Sequence, residues 1–97
     1  MAGFLAIIAA GDPPMKLAKY VKFREEKFGS VLFETRSEKV YTLNPTATAV
    51  VRELQAGRDE RDIPGRLKER FRDDSGAIER EVVAFFAELR EKGLVED

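Results

Sequence analysis

The chain has no cysteine and no histidine. Without cysteine there is no disulfide, no thiolate nucleophile and no cysteine-ligated metal site. Without histidine the commonest general base and metal ligand is missing, so Ser30, Ser37 and Ser75 have no imidazole to activate them. An excess of one charge sign is also lacking. Seventeen basic side chains stand against eighteen acidic ones, a net charge of −1. Such a chain has no overall field drawing it to nucleic acid or an anionic membrane. Long apolar runs are missing too. Phe4 to Ala10 is far short of the ~20 residues that span a bilayer, and no basic segment precedes it as in a secretory signal. These absences lead us to expect a cytoplasmic protein without membrane contact.

Motifs that carry chemistry are equally scarce. There is no glycine-rich phosphate loop, no acidic spacing of the calcium-loop type, and no internal repeat. The acid pairs Glu25/Glu26 and Asp73/Asp74 fall in predicted turns, where they read as solvated surface; a catalytic pair needs burial to separate its two pKa values. Tyr20 and Tyr41 read as sheet residues. The expectation is a protein that is not an enzyme, with no cofactor and no metal.

What is present is the composition of one globular domain: 97 residues, 43% hydrophobic and 36% charged. The stretch Tyr41 to Gly57, YTLNPTATAVVRELQAG, organises it. Asn44 is an N-cap, Pro45 suits the first helical position, and Gly57 suits a left-handed stop. Ala47, Val50, Val51 and Leu54 form one apolar stripe. Strand and helix are joined with little slack, so Tyr41 and Leu43 should share a core with Val50 and Leu54.

Residues 1–16 read as an N-terminal arm and 17–97 as a single domain. For Met1 to Pro14, two readings stand: a tail outside the fold, with Met15 beginning the domain, or a small apolar arm docking on the domain or a partner. Val21 and Phe23 alternate with Lys22 and Arg24 as in a half-buried strand. Glu25 to Gly29 reads as a polar turn, Ser30 to Glu34 and Lys39 to Leu43 as strands. Beyond the first helix, Ile63, Leu67 and Phe71 mark a second. Asp62 as its N-cap, with Pro64 in the first turn, avoids a mid-helix proline. Ala77 to Lys92 is a third helix, with Ile78, Val82, Phe85 and Leu89 on one face and Gly93 beyond its end. Val83 and Phe86 lie on a flank of that face. The order β-β-β-α-α-α predicts an α+β domain, a three-stranded antiparallel sheet followed by three helices, winged-helix-like.

The basic cluster Arg58, Arg61, Arg66, Lys68, Arg70 and Arg72 is interleaved with Asp59, Glu60, Asp62 and Glu69. It reads as a salt-bridged wet face before it reads as a nucleic-acid footprint. An open sheet edge beside the surplus apolar flank Val83 and Phe86 would instead make a groove for an extended peptide. The competing reading packs both residues under the hairpin or the arm.

Val21-Lys22-Phe23-Arg24-Glu25-Glu26, Tyr41-Thr42-Leu43-Asn44-Pro45-Thr46-Ala47, Val50 to Gly57 and the closing Gly93-Leu94-Val95 resemble the PqqD family, whose namesake is coenzyme PQQ synthesis protein D. The resemblance covers about residues 19–95. It departs at the apolar N-terminal arm and at Pro64-Gly65. It implies a winged-helix-like module that binds the leader of a ribosomally made precursor peptide and presents it to a modifying enzyme, often a radical S-adenosylmethionine (SAM) maturase. It also implies backbone pairing at Lys39, Val40, Tyr41 and Thr42, with Val83, Phe86 and Arg90 lining the other wall. PQQ itself is not implied. Two other functions remain open from the residues: a winged-helix nucleic-acid binder, against which the near-neutral charge argues, and a structural protein–protein domain.

Overall fold

The structure, a computed structural model, describes residues 15–27 and 29–96. Among the described residues five strands and three helices follow one another: β1 (Lys16–Leu17), β2 (Val21–Glu26), β3 (Gly29–Glu34), β4 (Lys39–Leu43), α1 (Pro45–Gln55), α2 (Ile63–Arg70), α3 (Ala77–Glu91) and β5 (Val95–Glu96). β2, β3 and β4 form an antiparallel meander in that order, so the expected α+β sheet followed by three helices is present. β1 pairs with β5 as a separate two-stranded ribbon. The sequence did not announce that pairing.

Alternation along the strands decides which face is covered. Val21, Ser30, Leu32 and Leu43 are buried on the helix side, while Lys22, Arg24, Val40 and Thr42 point the other way. The turn between β2 and β3 is shorter than expected. Glu25 and Glu26 belong to β2, and only two residues separate Glu26 from its partner Gly29. Glu25 is held there by Arg52 of α1, which donates two hydrogen bonds to its carboxylate and keeps its pKa below the usual value.

α1 is built as its caps require. The Asn44 side chain accepts from the Ala47 amide at 2.8 Å, and Pro45 opens the helix. Gly57 stops it with φ +83°, a conformation that costs glycine little. Val50, Val51 and Leu54 bury their stripe against Leu32 and Leu43, with Tyr41 packed at the margin of the same cluster. Each such aliphatic side chain contributes roughly 1.5–3 kcal/mol when fully buried. Ser30 and Thr48 share a buried 2.5 Å hydroxyl contact that ties β3 to α1.

α2 begins at Ile63 after Asp62, with Pro64 in its first turn, where the missing amide costs nothing. Ile63 and Leu67 are buried, but the helix ends at Arg70, and Phe71 beyond it is exposed. The third member of the expected stripe is therefore outside the core. Met15 is buried and Lys16 pairs with Glu96, so both pack with the folded unit, as in the reading that begins the domain at Met15, although the division at residue 16 placed them in the arm. The rest of that arm, residues 1–14, lies outside the described residues.

Candidate functional site: the margin of β4 and the cleft beside α3

β4 is the last strand of its sheet, and among the described residues no strand pairs with its outer margin. Its free backbone groups follow from the register. A two-residue hairpin closes on a hydrogen-bonded pair, here Glu26 and Gly29, and such pairs then alternate. Val31 and Phe33 thus turn their amides to β2, and Ser30, Leu32 and Glu34 turn theirs to β4. Their partners Leu43, Tyr41 and Lys39 are satisfied inside the sheet. Val40 and Thr42 are left with N–H and C=O facing outward, a template for one more strand.

A cleft of about 190 Å³ runs between this margin and α3. Leu32, Ala47, Leu89 and Leu94 form its floor. Tyr41 and Phe85, both half-buried, line its sides. Thr42, Asn44, Glu88 and Lys92 make the rim. Glu88 and Lys92 are one helical turn apart, with 3.8 Å between their charged atoms. Asn44 has a second task here: its Nδ2 donates to Glu81 Oε2 at 3.1 Å, fastening the β4–α1 joint to α3. The closing end is fixed by the Leu94 amide donating to Leu89 O and by Ala18 donating to Leu94 O, both at 2.9 Å. The start of α3 is anchored by Asp73, whose carboxylate accepts from the Ser75 hydroxyl and from the amides of Ser75 and Ile78. These bonds, the hydroxyl's foremost, hold its pKa at about 2.

The predicted site residues divide into two groups. Lys39, Val40, Tyr41 and Thr42 lie along the open margin, Val40 being 60% exposed. Val83, Phe86 and Arg90 do not face them. They border a second, shallower concavity of about 780 Å³ on the opposite flank of α3, with Glu60 and Pro64. Phe86 is only 4% exposed and belongs to the core with Val82 and Leu89. Val83 is 59% exposed, and Arg90 Nη2 donates to Glu60 Oε1 at 2.5 Å. Val83, Phe86 and Arg90 thus lie roughly 140° around the helix from the α3 groups that line the cleft with β4. Phe85, Glu88, Leu89 and Lys92 are the α3 groups that meet β4. The larger concavity offers no unpaired strand, so the smaller cleft is the better candidate for an extended guest.

Among the described residues no helix is long and apolar enough to cross a membrane, and no acid cluster is arranged to hold a metal ion. The basic residues about α2 are largely tied up. Arg58 and Arg66 pair with Glu53 at 3.6 and 2.6 Å, Arg61 with Asp59 at 2.8 Å, and Lys68 with Glu79 at 3.8 Å.

Other proteins share this architecture. A solved chain described as lasso peptide synthetase B1 complexed with the leader peptide superposes with a TM-score of 0.74 at 25% identity, covering 86% of this chain and 98% of that one. A second, TbiB1 in complex with the TbiA(beta) leader peptide, gives 0.74 at 20% identity over 84% and 94%. Among curated proteins none matches. The profile of one family, coenzyme PQQ synthesis protein D, matches residues 29–95, from the first residue of β3 to the first of β5. That span takes in both walls of the cleft and more than half the sequence: the chain belongs to the PqqD family.

Proposed function

We propose that the chain is a non-catalytic recognition module for the leader of a ribosomally made precursor peptide. The leader adds as a strand to β4 through the outward groups of Val40 and Thr42. Its side chain opposite Tyr41 enters the cleft between Tyr41 and Phe85, while its neighbours lie on the other face of the sheet. The module presents the bound peptide to a modifying enzyme of the radical SAM type. The observation that carries this reading is the coincidence of an unpaired strand margin with a cleft along it that has an apolar floor and a polar rim. Support comes from the family and from the similar structures, which hold leader peptides. Lys39 and Tyr41 frame the outward pair. Val83 and Arg90 lie outside this path, and Phe86 supports it from below.

Ordering a flexible leader costs about 2–5 kcal/mol of the gross interaction, so the expected affinity is micromolar, near −8 kcal/mol. Titration of synthetic leader peptides from precursor genes beside this one, read by calorimetry, tests the proposal. Binding that Phe85→Ala weakens supports it. Failure of every such peptide, or binding indifferent to Phe85 and to the β4 backbone, overturns it.

A further inference from the structure

The face of the sheet turned away from the helices has no cover among the described residues. The register lays two rows across it, Lys22–Phe33–Val40 and Arg24–Val31–Thr42. Val31, Phe33 and Val40 form an apolar track bordered along β2 by Lys22 and Arg24, whose stems lie beside it. Lys22 has no ion-pair partner among the described residues, and Arg24 has only Glu26, at 4.0 Å. The border is thus cationic and weakly matched. The open flank of α3 differs: its cations are already paired, Arg90 to Glu60 and Arg61 to Asp59.

We propose that this outer face docks the modifying enzyme, through an apolar patch on that enzyme bordered by carboxylates. The inference rests on the peptide-binding reading above and adds the second partner's seat. Two physical features favour it. Docking on this side leaves the cleft open, because cleft and track lie on opposite faces of one sheet. A leader strand added at β4 also widens this same face, since its residues opposite Val40 and Thr42 project beside them. The enzyme would then touch module and leader together and bind the loaded module more tightly than the empty one. Unmatched border cations chiefly speed and select such an encounter.

The test uses the full chain, its synthetic leader peptide, and the purified modifying enzyme encoded beside it. The double variant Lys22→Glu/Arg24→Glu changes only exposed side chains. It is expected to keep leader affinity within twofold and to weaken enzyme binding at least tenfold in 50 mM salt, the loss shrinking at 500 mM as charges are screened. In the wild type, leader is expected to tighten enzyme binding. An unchanged enzyme affinity in the double variant overturns the proposal. So does loss of enzyme binding in Val83→Lys alone, which would seat the enzyme on the α2–α3 flank. So does wild-type self-association that the double variant abolishes, which would assign the face to a second copy. Enzyme binding to the empty module is measured separately, so a failure of leader binding overturns the peptide reading and is not confused with failure of this one.

Discussion

The β2–β3–β4 sheet has two margins, and they are made differently. The β2 margin carries Lys22, Arg24, Glu25 and Glu26, with Glu25 clamped by Arg52. Charged side chains of this kind blunt an edge against further pairing. The β4 margin carries Val40, Tyr41 and Thr42 between Lys39 and Leu43, uncharged over its middle and bordered by a cleft with an apolar floor. One sheet therefore closes one side to guests and leaves the other usable. On the peptide-binding reading, an open strand alone does not make a site. The side chains flanking it and the wall beside it decide which edge is available.

The largest expected effect falls on the support beneath that wall. Phe86→Ala empties a site that is 4% exposed and should cost about 3–5 kcal/mol in denaturant unfolding. A loss below about 1 kcal/mol would place Phe86 outside the core. The contrast between margins is sharpened by putting proline at an outward-facing position of each. Thr42→Pro removes an amide that the sheet does not use, so it should weaken leader binding at least tenfold with little loss of stability. Glu25→Pro, the corresponding change on β2, should leave leader affinity within twofold. Equal losses from both would erase the distinction. A smaller effect is expected across the cleft: Phe85→Ala should weaken the leader about tenfold, ~1.4 kcal/mol, whereas Val83→Ala on the far flank should change it less than twofold.

Acid should act on the frame. The Asp73 pKa is held at about 2, against 3.8 for a free aspartate. A folded value below the unfolded one stabilises the fold above pH ~4 and loses that contribution as pH falls from about 4 toward 2. Unfolding measured across that window should show stability declining, and Asp73→Asn should flatten part of the decline. A variant with the wild-type slope would remove Asp73 from the account.

Much of this was legible in local sequence. Alternation at Val21 to Arg24, the Asn44-Pro45 start, the Gly57 and Gly93 stops and the late start at Asp62 are signals spanning a few residues, and the backbone follows them. The β4 side of the cleft could be read through the family resemblance, which pointed to Tyr41 and Thr42, and both line it. The α3 side could not. Val82, Val83, Phe85, Phe86 and Leu89 spread apolar character around much of that helix, and only the position of α2 decides which residue turns inward. α2 and the core take Phe86, leaving Phe85 to the cleft. The β1–β5 pairing was hidden for another reason. Two-residue strands have no measurable period, and their partners are separated along nearly the whole domain.

Amide hydrogen exchange with and without bound leader peptide tests the central claim most directly. Addition of the leader to β4 should newly protect the amides of Val40 and Thr42, while Tyr41, already bonded to β3, changes little. Protection confined to Val83, Ala87 and Arg90, with Val40 and Thr42 exchanging as in the free protein, would contradict it.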